Sequence, residues 1–191
     1  MRTGSFVFDR EKGRVKKRWE GVMENLNPIK VLLSEHEEIT KDIDILQDRV
    51  ERVLRQAQDK TLSLTLNEQE LDEMRELARC LHNKIRSHFY KEEQALFQVM
   101  EDNLFDRRCT TIMRDEHKEI LEHGFQLLGI FGNWKDNLWD PEKISGLQHL
   151  LFEFINSFKS HIRREEQILY PMAQICLNEE QIKEIGRRVK S

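Results

Sequence analysis

Residues that break helices are scarce in this chain: 8 glycines and 3 prolines among 191 residues. With charged residues at 35% and hydrophobic ones at 38%, this favours a helical, soluble protein of one core. Cysteine is rare and odd in number, at Cys80, Cys109 and Cys176, with no CxxC pair. That argues against a disulfide framework or a zinc ribbon, and makes a reducing, cytoplasmic setting the simplest expectation. No apolar run is long enough to cross a bilayer, and the charged N-terminus lacks the apolar core of a secretory signal, so no membrane association is expected. The net charge of −4 argues against nucleic acid as the main partner. There is no GxGxxG, no P-loop, no Gly-x-Ser-x-Gly, no Glu-x-x-His and no recognisable nucleophile triad.

What the chain does contain, it states twice. Residues 35–39 read EHEEI and residues 116–120 read EHKEI; residues 88–97 read HFYKEEQALF and residues 161–170 read HIRREEQILY. Each half therefore has a lone His and then a His-x-x-x-Glu: His36, His88 and Glu92, then His117, His161 and Glu165. The i,i+4 step puts both members of a pair on one helix face. Taken singly, either pair is best read as a solvated surface contact. The duplicated set is much harder to obtain by chance.

Two regions differ in composition. Residues 1–27 form a basic N-terminal arm, with Arg10, Lys12, Arg14, Lys16, Lys17 and Arg18 beside Phe6, Phe8 and Trp19. A loosely packed arm is the expectation, and a docking segment the sharper alternative. Residues 28–191 form the domain. Asn27-Pro28 opens a first helix to about residue 57, and Asn67 with Glu70 opens a second that ends near Asn103. A third helix stops at Gly132-Asn133. After a loop with Trp134 and Trp139, Asp140-Pro141 opens a fourth that runs to about Gln174, with Pro171 kinking or ending it. Asn178 caps a short last helix. Short links between long helices predict an all-α, antiparallel up-down four-helix bundle with a short C-terminal helix.

The histidines sit on the apolar seams of these helices. The second helix repeats apolar residues at 3–4 spacing through Leu71, Met74, Ala78, Leu81 and Ile85, then resumes at Ala95 and Val99; His88 and Glu92 fill the gap. The fourth runs through Ile144, Leu147, Leu151, Phe154 and Phe158, then His161 and Glu165, then Ile168 and Met172. His36 lies between Leu33 and Ile39, and His117 between Met113 and Ile120. All six residues thus face the core. Counted from the helix ends, His36 and His88 share one height, at about 21 and 20 residues; the third and fourth helices match less well. Two carboxylates in an apolar core need charge compensation. The seam offers no Lys or Arg, and imidazole with carboxylate suits a transition metal rather than calcium.

The remaining candidates are weaker. His82, His123 and His149 fall off the seams and are expected at the surface or around the site. Glu93 and Glu166 follow the proposed ligands, and Glu35 and Glu116 precede the lone histidines. Such residues can orient ligands, but the simpler expectation is a solvated rim. Tyr90 and Tyr170 could donate hydrogen bonds near the site, but packing at an interface is the simpler expectation.

These motifs, over roughly residues 28–175, resemble the hemerythrin-like (HHE) cation-binding family. The resemblance implies a four-helix bundle around a non-haem di-iron centre. It implies that His36 and His88 serve one iron, that His117 and His161 serve the other, and that Glu92 and Glu165 bridge them. Oxygen-carrying hemerythrins have a second His where this chain has Leu121, and place the last carboxylate five residues after the final His, not four. The four-His, two-Glu set is closer to di-iron proteins linked to repair of damaged iron centres and to nitric oxide stress. Those often carry an N-terminal cysteine, whereas the first 79 residues here contain none.

Two His nitrogens and one oxygen from each Glu would leave about two positions per six-coordinate iron, for an oxo or hydroxo bridge and an outside ligand. The leading expectation is a cytoplasmic, metal-binding di-iron protein for oxygen binding or nitric oxide sensing, or for handling iron. The alternatives are a metal-dependent regulatory or interaction module, a di-iron protein in repair of iron-sulfur centres, an oxidase or peroxidase, and a bundle without metal. Turnover is not asserted, because no acid, base or substrate pocket is identifiable.

Overall fold

The computed structural model describes residues 6–9, 14–17, 27–58, 68–103, 107–133 and 141–190. Four helical columns carry the domain. They are α1 (Pro28–Gln58); α2 (Glu68–Lys91), continued by a π segment (Glu92–Phe97) and α3 (Gln98–Asn103); α4 (Arg108–Gly132); and α5 (Pro141–Arg164), continued by a second π segment (Glu165–Leu169) and α6 (Tyr170–Cys176). The short α7 (Glu179–Arg188) follows. Contacts run α1 to α2, α2 to α4, α4 to α5 and α5 back to α1, which closes the expected up-down bundle. Ahead of it, β1 (Phe6–Asp9) and β2 (Arg14–Lys17) pair as an antiparallel hairpin, a local feature of the arm that its composition did not announce. Among the described residues no helix is long and apolar enough to cross a membrane.

The ends follow local chemistry. Asn27 Oδ1 accepts from the Ile29 amide at 3.0 Å, with Pro28 as the first helical residue. At the end of α4, Arg75 Nε reaches across from α2 and donates to the Phe131 carbonyl at 2.8 Å, which ties the last turn of α4 to α2. Asn178 and Gln181 form a reciprocal capping box at the start of α7. The expected caps Asn67 and Asp140, the loop of Trp134 and Trp139, and Arg10, Lys12, Arg18 and Trp19 lie outside the described residues.

The fourth column ends at Cys176, close to the expected Gln174, so of the two readings of Pro171 the structure excludes a stop; the proline sits at the start of α6, directly after the wider π turn. One expectation is corrected there. Ile168 is 55% exposed rather than on the seam, and Leu169 is buried in its place. A π segment carries one residue more than an α turn, so the apolar face downstream is displaced by one position.

The core divides into two apolar clusters. One is built from residues such as Ile43, Leu46, Leu81, Ile85, Leu127, Phe154 and Phe158. The other contains Ile29, Leu32, Leu96, Phe97, Met113, Leu169 and Ala173, and is closed from below by Ile185 and Val189 near the end of the chain. The buried histidines and glutamates, His36, His88, Glu92, His117, His161 and Glu165, lie in the layer between them.

Candidate metal centre

Each column delivers candidate donor residues to this one layer. His36 comes from α1, His88 from the last turn of α2, His117 from α4 and His161 from the last turn of α5. Glu92 and Glu165 are each the first residue of a π segment. All six are fully buried. Their donor atoms form two overlapping groups, each within 4.8 Å: His36, His88, Glu92 and Glu165, then Glu92, His117, His161 and Glu165. Both carboxylates belong to both groups, the arrangement that two bridging ligands would give. His36 Nε2 lies 3.2 Å from Glu165 Oε2, His161 Nε2 3.2 Å from Glu165 Oε1, and His117 Nε2 3.4 Å from Glu92 Oε2. The third and fourth helices, poorly matched by residue counting, do meet: His117 Nε2 and His161 Nε2 are 3.1 Å apart.

The four neighbouring carboxylates are not a solvated rim. Each binds the Nδ1 of one histidine, and each reaches from one column to the next. Glu35 of α1 holds His88 at 2.9 Å, Glu93 holds His117 of α4 at 2.7 Å, Glu116 of α4 holds His161 of α5 at 2.8 Å, and Glu166 holds His36 of α1 at 3.1 Å. The bonds close a ring around the bundle. Three of the four carboxylates are held in turn by a cation: Lys91 on Glu35, Arg114 on Glu93 at 3.1 Å, and Arg164 on Glu116 at 2.8 Å. Glu166 has no ion-pair partner besides His36 among the described residues and is 43% exposed. A signal for this ring existed in the sequence: the Glu-His and Glu-Glu dipeptides recur in both halves.

This geometry decides the tautomers. An ionised carboxylate only accepts, so each Nδ1 donates and each Nε2 turns a lone pair inward. Burial pushes Glu35 and Glu116 up, but hydrogen bonds from His88 and Lys91, and from His161 and Arg164, outweigh it and hold both below the usual carboxylate range. The His117 bond, aided by Arg114, does the same for Glu93 against its burial.

The inward atoms lack partners. His88 Nε2, Glu92 Oε2 and both oxygens of Glu165 are buried with no hydrogen bond. Two lone pairs 3.1 Å apart, on His117 and His161, also repel unless a positive charge lies between them. Without a metal, protons must fill that role. Burial lowers the His117 pKa, but the facing carboxylates of Glu165 and Glu92 and the bond to Glu93 raise it further, to about 10. His36 and His161 are raised in the same way, against their burial, by Glu165 above all. Burial raises the Glu165 pKa, but the positive charge of His161 and the other histidines facing it holds it well below the ordinary range. Imidazole nitrogens and carboxylate oxygens with orphaned lone pairs fit a pair of transition-metal ions.

Tyr170 also belongs to the site rather than to an interface. Its hydroxyl donates to Glu92 Oε1 at 2.5 Å and stands 3.2 Å from His36 Nε2. An α-helical count hides this, placing Tyr170 roughly 140° around the helix from Glu165 at about 100° per residue. The wider π turn brings it back toward the same face. Tyr90 is exposed. His82 and His149 stay outside the donor groups; His123 does too, although its Nδ1 is buried without a partner.

The family model of the hemerythrin HHE cation binding domain matches residues 27–173. The chain belongs to this family. The match begins at the Asn27 cap and ends within α6, so it spans all four columns of the hemerythrin HHE domain and leaves α7 and the arm outside. No curated protein matches the chain.

Proposed function

We propose that this hemerythrin HHE domain holds two iron ions and uses them to bind or sense a small ligand such as dioxygen or nitric oxide. The observation that carries the proposal is the pair of overlapping donor groups sharing Glu92 and Glu165, with four inward atoms otherwise unsatisfied. His36 and His88 would serve one ion, and His117 and His161 the other. When bound, the pair supplies coordination positions for a small ligand and electrons that can be given or taken back. The protein does the rest. The ring of Glu35, Glu93, Glu116 and Glu166 fixes the tautomers and strengthens the histidines as donors. The apolar clusters above and below keep water out.

The test is metal content and the visible spectrum of protein from iron-replete cells, before and after reduction and exposure to dioxygen and nitric oxide. Close to two irons per chain, with bands that bleach and return, is the expected result. Colourless, iron-free protein that stays folded would sink the proposal. A second reading, handling of iron for repair of iron-sulfur centres, draws on Glu166, the half-exposed clamp without a cation. It predicts transfer of iron to an apo-cluster protein, which a ligand sensor would not perform.

A further inference from the structure

We infer that the two metal positions are chemically unequal because the Tyr170 oxygen is a ligand of the ion held by His36 and His88. This leaves the ion held by His117 and His161 as the one that takes the small ligand. The inference rests on the di-iron reading above.

The duplicated motif places Tyr170 and Phe97 at equivalent positions, each last in its ten-residue segment. The structure keeps that equivalence. The Tyr170 ring stacks on His36 at 5.6 Å and 15°, and the Phe97 ring on His117 at 5.5 Å and 23°. At these two positions the halves differ by one oxygen atom. That oxygen is buried beside His36 of the first group, 3.2 Å from its Nε2, and 2.5 Å from Oε1 of the shared Glu92. Neighbouring donors about 2.1 Å from a common six-coordinate ion stand roughly 3 Å apart; the Tyr170 oxygen meets that spacing from His36 Nε2, and its shorter contact with Glu92 Oε1 is the hydrogen bond that loss of the phenolic proton would release.

Counting donors separates the two ions. On the first side, His36, His88, Glu92, Glu165 and Tyr170 make five, and a solvent-derived bridge completes six. On the second, His117, His161, Glu92 and Glu165 make four, and the bridge makes five. The open position lies on the side walled by Phe97 and by Phe89, whose ring stacks on His117 at 3.7 Å and meets His161 edge-on at 5.2 Å. An uncharged diatomic loses little on entering such apolar surroundings, whereas water loses hydrogen bonds. As the iron–oxygen bond forms, the phenolic O–H bond breaks and its proton passes to solvent, with no change of oxidation state.

The test uses the full chain loaded with ferric iron. Metal analysis comes first, then resonance Raman excited in the visible band, where ferric phenolate gives ring modes that imidazole and carboxylate do not. The wild type should show these modes. Tyr170→Phe should lose them while keeping close to two irons. Phe97→Tyr should about double the band and suppress nitric oxide binding to the reduced protein, because it fills the open position. Two irons without phenolate modes, or an unchanged spectrum in Tyr170→Phe, would overturn the Tyr170 assignment and leave the di-iron reading standing. Iron far below two per chain would overturn both. If Tyr170→Phe does not fold, the wild-type spectrum and Phe97→Tyr still decide the matter.

Discussion

His117 is gripped from both ends: Glu93 accepts from Nδ1 at 2.7 Å, and Nε2 points at His161 and the shared carboxylates. Glu93 is half-buried and itself braced by Arg114, so its removal acts on the ligand rather than on the fold. Glu93→Gln keeps the shape, loses the charge, and should weaken metal binding by about 10–100-fold. Competition against a chelator measures this, and an affinity equal to wild type would strip Glu93 of that role. The same histidine makes the metal-free protein sensitive to pH. Its pKa is raised from 6.5 to about 10. A raised histidine stabilises the fold fully below its unfolded value and ceases to do so as pH climbs through the folded one. Metal-free protein should therefore lose stability from pH 6.5 to about 10, while loaded protein, with an ion in place of the proton, changes less. Denaturation midpoints across that window decide it; a metal-free profile that rises with pH would contradict the assignment. The burial of the six inner residues was legible in the sequence because they interrupt apolar seams. The outer four showed only as recurring Glu-His and Glu-Glu pairs, which do not tell a carboxylate that meets water from one that meets the next column.

At the scale of the element, the two π segments explain what helical periodicity read correctly and where it slipped. Up to Glu165 the fourth column follows the 3–4 spacing, with Leu147, Leu151, Phe154, Phe158 and His161 all buried. Beyond it the apolar face moves by one residue, and Ile168 and Leu169 exchange places. Nothing in a single sequence marks that extra residue, because a π segment uses the same side chains as an α turn. In the second column the slip is masked, since Ala95, Leu96, Phe97, Val99 and Met100 are all buried there. The exchange gives a paired prediction that inverts the α-helical one. Ile168→Lys should change stability by no more than about 0.5 kcal/mol, as for a typical surface site. Leu169→Ala should cost about 2–5 kcal/mol, as for a buried leucine. Equal costs, or a larger one at Ile168, would show that the column is α-helical through this stretch.

Across the whole molecule, the polar layer is where the four columns depend on one another. Glu92 and Glu165 are buried between two apolar clusters, and the outer carboxylates bind each column to the next. Six carboxylates surround the histidines, and three basic side chains answer them. Without metal the difference must be met by protons on the histidines, which compensate the charge but do not tie opposite columns together. Two ions, each bound by groups from several columns, would do both. Such ligands have no equivalent preformed site in the unfolded chain, so their binding energy adds to folding stability. At a free metal concentration of about a thousand times the dissociation constant this amounts to about 4 kcal/mol. For a chain of this size, roughly 2–4 °C per kcal/mol gives a rise in Tm of about 8–16 °C. Calorimetry with added iron and with chelator measures it directly. His88→Ala and Glu165→Ala should each abolish the rise, since either removes a ligand, and Tyr90→Phe at the exposed surface should leave it intact. A bundle that needs no metal would melt at the same temperature in chelator as in iron, and its His88 and Glu165 variants would melt close to the wild type.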